Sequence, residues 1–351
     1  MAAKPHGEGT SVTKKRLAIA LSAICAVLSS SANTSAETIN AAGATFPGVI
    51  YQKWFQEFHK LHSDVQINYQ AIGSGAGIQQ LTQGTVLFGA SDVPMTDEQM
   101  GKISKFKVLH FPTVLGGVVV TYNIEGVTAL NFSPETLAGI FLGKIANWND
   151  PALKKDNPGV KLPDGEITVV HRSDGSGTGF VFTDYLSKVS PEWKSKVGSG
   201  AMVNWPKGLG GKGSEGVAGT VKQTPNSIGY VELLYAVQNK MAYGAIKNSA
   251  GVFVKPDFDS VSEAAAGAAK SMPADFRVSI TNAPGKKAYP ISTFTWLLIP
   301  NKFANAAQKN IIEGFLKWML TDGQKLAVGL SYAPLPQPIV AKEEKQIGLI
   351  Q

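Results

Sequence analysis

Three short segments rich in glycine, serine and threonine have the residue types and spacing that suit anion binding. They are residues 43–48 (GATFPG), 73–77 (GSGAG) and 173–179 (SDGSGTG). Each follows an apolar or alternating stretch and precedes an amphipathic one, which predicts a strand, a turn and a helix. Such a turn presents unpaired backbone N–H groups and the positive end of a helix dipole. The pattern predicts anion binding, with plain helix capping as the alternative for any single turn.

Nucleotide-binding motifs do not fit these segments. At Gly211-Lys212, a Walker loop would need a glycine where Pro206 stands and a hydroxyl residue where Gly213 stands. Neither GSGAG nor GSGTG continues into the further glycine of a dinucleotide-binding fingerprint. The sequence therefore disfavours a kinase or an ATPase.

The constellations of hydrolases and metal sites are incomplete as well. Ser74 and Ser176 lack the glycine two residues earlier that a nucleophile elbow requires, and no histidine follows His171 to complete a Ser–Asp–His order. His59 and His62 have helical spacing that suits a metal ion, but their polar neighbours favour a solvated helix face. Anion cradles without catalytic partners indicate a binding protein rather than an enzyme.

Hydrophobic spacing predicts the elements that position the three segments. Residues 65–71 alternate as in a strand, and Ser133-Pro134 has the cap and proline that begin a helix. Residues 208–216 are predicted to form a glycine-rich loop and residues 261–270 a surface helix. Alternating strands and helices predict α/β domains with mainly parallel sheets. The residues predicted to share one face of the first helix, with Pro47 at its first position, are Ile50, Trp54, Phe58 and Leu61.

The first 36 residues have the pattern of a secretory signal peptide. A basic stretch (14–16) precedes an apolar run (17–28), and small residues lead to Ala36, after which we expect cleavage. The only cysteine, Cys25, lies in this run behind Ile24 rather than behind a small residue, so we expect no lipid anchor. The mature chain would hold no cysteine, which excludes disulfide scaffolds and thiol nucleophiles. A buried amino-terminal helix is the alternative.

Length and charge narrow the class further. The 351 residues suggest two domains. The net charge of +7 would fall to +4 without the leader, which holds four basic residues and one acidic residue. The remaining lysines are scattered, so nothing favours nucleic-acid binding. No uninterrupted apolar run is long enough to span a membrane.

Nine segments lie in order along nearly the whole mature chain and carry a family resemblance. They are AGATFPG (42–48), IGSGAG (72–77), FGASDVP (88–94), FPTVLGGVVV (111–120), LGKIANWND (142–150), SDGSGT (173–178), GLGGKG (208–213), SIGYVE (227–232) and YPIS (289–292). Together these segments resemble the periplasmic phosphate-binding proteins of bacterial high-affinity phosphate ABC transporters, and as a set they are specific. Two positions depart from the family pattern, Gly75 in place of a serine and Leu87 in place of an acidic residue.

The resemblance implies a type II periplasmic-binding-protein fold, in which two α/β lobes joined by two crossing segments enclose a ligand cleft. After the signal peptide (1–36), it implies lobe 1 in residues 37–123 and 291–351 and lobe 2 in residues 124–290. It further implies a monomeric periplasmic receptor, without cofactor or enzymatic activity, that delivers inorganic phosphate to an inner-membrane permease and its ATPase.

The resemblance also implies a set of phosphate contacts, divided between the two lobes and completed when the cleft closes. Asp92 is the informative member, because a carboxylate repels an anion unless it accepts a proton from it. Phosphate keeps a proton at neutral pH and sulfate does not, so we hypothesise that Asp92 excludes sulfate. A helix cap or a salt bridge to Arg172 is the alternative role. The implied contacts are Thr45, Phe46 (through its backbone N–H), Ser74, Asp92, Arg172, Ser176, Gly177 and Thr178.

Two other functions remain open from the residues. A receptor for another tetrahedral oxyanion, arsenate or sulfate, would use the same helix-end cradles, and Asp92 would not distinguish arsenate from phosphate. A secreted phosphatase would also bind phosphate, but it would need a nucleophile and base or a metal site.

Overall fold

The computed structural model describes residues 37–351, so the predicted signal peptide, with Cys25, lies outside the described residues. The strands are β1 (Glu37–Gly43), β2 (Val65–Ala71), β3 (Phe88–Ser91), β4 (Val108–Asn123), β5 (Asn131–Phe132), β6 (Thr168–Arg172), β7 (Leu209–Gly211), β8 (Ser227–Glu232), β9 (Ala242–Tyr243), β10 (Ala245–Lys247), β11 (Phe253–Val254) and β12 (Ser292–Pro300). The helices are α1 (Gly48–Leu61), α2 (Ser74–Gln83), α3 (Asp97–Gly101), α4 (Pro134–Phe141), α5 (Pro151–Asp156), α6 (Gly177–Val189), α7 (Pro191–Lys196), α8 (Gly213–Gln223), α9 (Leu233–Gln238), α10 (Phe258–Ser271), α11 (Ala306–Trp318) and α12 (Gln337–Ile347).

One mixed sheet runs through the described chain in the order β2-β1-β3-β12-β4-β8-β6-β7, with β9 paired beside β4. The pairs of β1 with β2 and β3, and of β6 with β7 and β8, are parallel, as predicted. The centre is antiparallel instead, because β12 and β8 both run against β4. A small second sheet has the order β11-β10-β5. The α/β fold class is confirmed, with this antiparallel centre as a difference.

The long strand β4 joins the two halves of the sheet. Its residues 108–117 pair with β12, and its residues 118–123 pair with β8. The Val118 N–H also donates to the Ile291 carbonyl at 2.8 Å. Two chain passages between the halves therefore lie side by side, which is the geometry of a pair of crossing segments.

The buried face of α1 follows the predicted helical spacing. Ile50, Trp54 and Phe58 are buried, and Trp54 Nε1 donates to the Gly323 carbonyl at 2.8 Å. Burial of each large apolar side chain stabilises the fold by about 1.5–3 kcal/mol. Leu61 was predicted on the same face but is 64% exposed, because the helix ends at this residue.

Three local predictions need correction. Pro47 occupies the N-cap position of α1 instead of its first helical position, since the helix begins at Gly48. Residues 208–216 are not simply a loop, because they contain β7 and the first residues of α8. Helix α10 forms where residues 261–270 predicted a surface helix, yet Val261, Ala264 and Ala265 are buried. The small alanine side chains let this helix pack closely against its neighbours.

Among residues 37–351, no helix combines the length and the apolar character needed to cross a membrane.

Candidate functional site

The turn from β1 into α1 places Thr45 and Phe46 at a helix N-terminus. Peptide N–H groups at such a position lack acceptors within the helix and are available to an anion. Thr45 is 2% exposed, and its hydroxyl lies 2.9 Å from the Ser214 hydroxyl at the start of α8. The Phe46 ring is fully buried, and its carbonyl accepts a hydrogen bond of 2.6 Å from the Tyr332 hydroxyl. The turn is thus fixed by contacts on both sides.

Ser74 begins α2, and its hydroxyl orients the next predicted site residue. It is fully buried and accepts the backbone N–H of Asp92 at 3.1 Å. Asp92 follows β3 directly and is 2% exposed. Parallel strands β1 and β3 therefore end at the same edge of the sheet, which brings the first two turns together with Asp92.

The carboxylate of Asp92 is held by two hydroxyl groups. Oδ1 accepts a hydrogen bond of 2.9 Å from Thr295 on β12, and Oδ2 lies 3.5 Å from Thr178 Oγ1 at the start of α6. Burial raises the pKa of Asp92 to about 7, against the opposing effects of the Thr295 hydrogen bond and the Arg172 charge. The group can therefore change its protonation state near neutral pH.

The third turn supplies a cation that is already paired. Arg172 at the end of β6 is 5% exposed and donates from Nε and Nη2 to the two carboxylate oxygens of Asp174, at 2.7 and 2.5 Å. Its Nη1 donates to Thr45 Oγ1 at 3.3 Å. Burial favours a higher pKa for Asp174, but the Arg172 hydrogen bonds outweigh it and leave the pKa below its ordinary value. The carboxylate partner of Arg172 is Asp174, which argues against the alternative in which Asp92 serves to pair with it.

The start of α6 closes the site from the opposite side. Ser176 caps the helix by accepting the Gly179 N–H at 2.8 Å. Gly177 lies against both Ser74 and Asp92, since an added Cβ would stand 2.4 Å from Ser74 Oγ and 2.7 Å from Asp92 Oδ2. Only a glycine leaves this approach open.

A fourth helix N-terminus, that of α8, was missed in the sequence because its glycines predicted a loop. Gly213 donates its N–H to Asp174 at 3.1 Å, and the Ser214 N–H points to Thr45 Oγ1 at 3.3 Å. The apolar spacing of Val217 and Val221 is the signal that could have revealed this helix. The Tyr235 hydroxyl donates to the Thr45 carbonyl at 2.6 Å. No motif in the sequence around Tyr235 or Thr295 indicates that either residue lies at the site.

The eight residues predicted to form the site lie on turns that meet in the structure. Thr45 contacts Arg172, and the Gly75 N–H donates to the Gly175 carbonyl, so the third turn meets both the first and the second. Asp92 contacts Ser74 and Thr178, and Gly177 lies against Ser74 and Asp92, while Phe46 and Ser176 adjoin Thr45 and Gly177 in the chain. The site therefore combines backbone and hydroxyl donors with one paired cation and one titratable carboxyl. Within residues 37–351 no group of three or more His, Cys, Asp and Glu side chains is placed to hold a metal ion.

Comparisons with known proteins agree with this architecture. A family model described as a PBP superfamily domain matches residues 28–323. The phosphate-binding protein PstS of Xylella fastidiosa (strain Temecula1) is 46% identical over 317 residues, with coverage of 90% of this chain and 86% of the relative. The phosphate-binding protein PstS of Haemophilus influenzae is 44% identical over 315 residues, with coverage of 89% and 92%.

A solved structure supports the same fold. It is that of a putative phosphate ABC transporter substrate-binding protein with bound phosphate from Clostridium perfringens. The TM-score is 0.62 at 18% identity, and the match covers 86% of this chain and 100% of the other. The predicted two-lobed binding-protein fold is thereby confirmed.

Proposed function

This chain belongs to the family of PstS phosphate-binding proteins within the PBP superfamily, and on that premise we propose that it binds inorganic phosphate for delivery to an ABC importer. The single observation that carries the proposal is the convergence of four helix N-termini on one buried site. Those helices are α1, α2, α6 and α8. Removing water from a doubly charged anion costs several kcal/mol or more unless its oxygens are fully paired. Backbone donors and hydroxyls supply that pairing with few full charges.

Each site residue has a part that follows from its chemistry. The hydroxyls of Thr45, Ser74, Ser176 and Thr178 donate to phosphate oxygens, as do the N–H groups of Phe46 and Gly177. Arg172 adds a charge-assisted hydrogen bond, which is stronger than a neutral one. Asp174 keeps the guanidinium in place, because it holds Nε and Nη2 in a fork.

The ionised carboxylate of Asp92 accepts a hydrogen bond from the O–H group that phosphate retains at neutral pH. A fully ionised sulfate offers no proton, so the ionised carboxylate faces it as an unpaired like charge. Arsenate also retains a proton and is expected to compete with phosphate. The raised pKa of Asp92 means that this discrimination depends on pH.

We infer that lobe 1 comprises residues 37–123 and 291–351 and that lobe 2 comprises residues 124–290. The change of partner along β4, from β12 to β8, supports a division in this strand, and it falls between residues 117 and 118, six residues before the inferred boundary. One segment of lobe 2 would reach across lobe 1, since the Phe276 carbonyl accepts the Trp296 indole N–H at 3.0 Å. Thr45 and Ser74 would then lie in one lobe and Arg172 and Thr178 in the other, so closure completes the site.

The cellular setting is part of the proposal. Export through the signal peptide (1–36) would deliver a monomeric receptor to the periplasm, where the closed form docks on an inner-membrane permease driven by a cytoplasmic ATPase. No catalytic turnover is assigned to the chain, and phosphate leaves it unchanged.

Calorimetric titration of the phosphate-stripped protein without residues 1–36 tests the function. At a pH above the Asp92 pKa of about 7, we expect tight binding of one phosphate per chain, undiminished by excess sulfate. Loss of phosphate binding in sulfate would contradict the role of Asp92 while leaving an oxyanion receptor. Absence of phosphate binding would overturn the function, and release of phosphate from an added phosphate ester would contradict the assignment as a non-enzyme.

A further inference from the structure

The carboxylate of Asp92 has a side-chain partner on a strand that none of the anion-binding turns belongs to. Thr295 lies within β12, is fully buried, and donates its hydroxyl to Asp92 Oδ1 at 2.9 Å. The other acceptor within reach, the Ser91 carbonyl, is more distant at 3.5 Å. The hydroxyl has one proton, and the carboxylate is the nearer and more strongly accepting group.

An irregularity in the sheet fixes Thr295 in this place. The register of β12 against β4 shifts between Thr295, which pairs with Val114, and Trp296, which pairs with Pro112. Thr113 is the extra residue of this β-bulge, and its hydroxyl donates to the Thr295 carbonyl at 3.1 Å. Bulges re-aim side chains and are common beside functional sites.

The bulge is in turn attached to the helix that begins at the candidate site. The Tyr51 hydroxyl on α1 lies 2.8 Å from Thr113 Oγ1, and both residues are fully buried. A continuous buried chain of hydrogen bonds therefore runs from α1 through the bulge to Thr295. The position of Thr295 is therefore fixed by the hydrogen bonds of Tyr51 and Thr113 and does not depend on a ligand.

The contact with Thr295 also gives the two carboxylate oxygens of Asp92 different surroundings. Thr295 occupies Oδ1, whereas Oδ2 lies beside Thr178 Oγ1 and faces Gly177. Because its contact with the Thr178 hydroxyl is longer, at 3.5 Å against 2.9 Å for Oδ1, Oδ2 is the oxygen more available to an incoming anion. A hydroxyl that donates to a carboxylate also favours its ionised form, which is the form that can accept a proton.

We propose that Thr295 is a positioning residue that determines the selectivity of the site: its hydroxyl keeps Asp92 ionised and aims Oδ2 at the proton of the bound phosphate. This inference rests on the proposed function. Thr295 is not one of the proposed phosphate contacts, and it acts on the bound anion only through Asp92.

The surroundings of Asp92 agree with that role. Burial raises the pKa of Asp92, and the Thr295 hydrogen bond is the largest of the influences that lower it, ahead of the Arg172 charge. Without the hydroxyl the carboxyl would stay neutral to higher pH, and a neutral carboxyl can donate to sulfate. The titratable groups that face Asp92 from the elements around it are Arg172 on β6, Glu232 on β8, Tyr51 on α1, Tyr69 on β2, Tyr235 on α9 and Tyr332.

The test compares Thr295→Val, which removes the hydroxyl at nearly constant volume, with Thr295→Ser, which keeps it. Thr121→Val is the matched control, because Thr121 is a fully buried threonine whose hydroxyl donates to the Ala242 carbonyl. Phosphate affinity and sulfate competition are measured by calorimetry across a pH series. Loss of a hydrogen bond to a charged group predicts a phosphate affinity about tenfold or more lower in T295V.

The measured competition by sulfate distinguishes a positioning role of Thr295 from a role in packing alone. We expect T295V to be inhibited by sulfate at neutral pH and to move the pH at which sulfate begins to compete upward, with T295S and T121V like the unaltered protein. An unchanged sulfate profile in T295V, or equal effects of T295V and T295S, would overturn the inference. Should T295V not fold, T295A also lacks the donor and replaces it. Failure of the unaltered protein to bind phosphate would instead overturn the proposed function.

Discussion

The carboxyl of Asp92 decides which anions the site accepts, because its protonation changes near neutral pH. With a pKa raised to about 7 by burial, it is mostly ionised above that pH and mostly neutral below it. The ionised form accepts a hydrogen bond from the phosphate O–H and repels sulfate, whereas the neutral form can donate a hydrogen bond to sulfate. At the residue scale, the selectivity for phosphate over sulfate thus depends on whether the Asp92 carboxyl is protonated.

We predict that the ratio of phosphate affinity to sulfate affinity falls as the pH is lowered through about 7. Competition titrations between about pH 6 and pH 8 span one unit on each side of the pKa, which changes the ratio of ionised to neutral Asp92 about a hundredfold. Asp92→Asn cannot titrate and offers amide donors, so its ratio should be low and flat. Asp64→Asn, at an exposed position, is the control. A constant ratio in the unaltered protein would refute the prediction.

At the scale of elements, the start of α2 contacts the loop before α6 with no side chain between them. The Gly75 N–H donates to the Gly175 carbonyl at 2.8 Å, and an added Cβ at Gly75 would lie 3.0 Å from Gly175 Cα. Gly75, which departs from the family pattern, takes part in this backbone contact. It permits the close approach of two elements that we assign to opposite lobes.

Gly75→Ala should therefore weaken phosphate binding by opposing that approach, on the order of tenfold if the overpacking costs about 1.4 kcal/mol. Calorimetric titration gives the affinity directly. Gly219→Ala in α8 is the matched control, since no atom lies within 4 Å of its added Cβ. The control should leave affinity unchanged and stabilise the helix by about 0.5–1 kcal/mol. Equal affinities of G75A and the unaltered protein would show that the contact does not limit binding.

The sequence predicts the elements well where local chemistry decides them. The alternation of residues 65–71 matches β2, and the Ser133-Pro134 cap matches the start of α4, because these signals need no distant partner. The eight candidate residues were predicted through a family resemblance whose motifs lie at strand ends, and they remain a prediction as phosphate contacts. Thr295 could not be found in this way, since its partner is 203 residues away and its aim depends on a bulge. Ser214 was not predicted because the glycines of residues 208–216 indicated a loop where α8 begins.

At the scale of the whole molecule, two further carboxyl groups lie fully buried outside the anion contacts. Glu232 uses one oxygen to accept the Leu234 N–H at 2.9 Å, and within residues 37–351 its Oε1 has no partner. Glu343 on α12 has no partner in that range for either oxygen. Burial raises the pKa of both well above the ordinary range. The folded protein therefore retains protons that the unfolded chain releases.

This difference makes stability depend on pH, with a sign that can be fixed. An unfolded glutamate releases its proton near about pH 4.3, whereas folded Glu343 keeps it to higher pH. Between those two values the folded state binds more protons, so the free energy of unfolding falls as pH rises. One such group contributes a slope of about −1.4 kcal/mol per pH unit. Glu343→Gln cannot titrate, and we predict that it makes the measured slope less steep by about that amount.

Denaturant unfolding of phosphate-free protein across a pH series measures the slope, and it separates this effect from any constant cost of burying the amide. Glu344→Gln, at the exposed neighbouring position, should keep the full slope. Parallel slopes for E343Q and the unaltered protein would mean that Glu343 is ionised in the fold and therefore paired. We expect the slopes of E343Q and the unaltered protein to differ because α12 buries the Glu343 carboxyl where no donor among residues 37–351 reaches it.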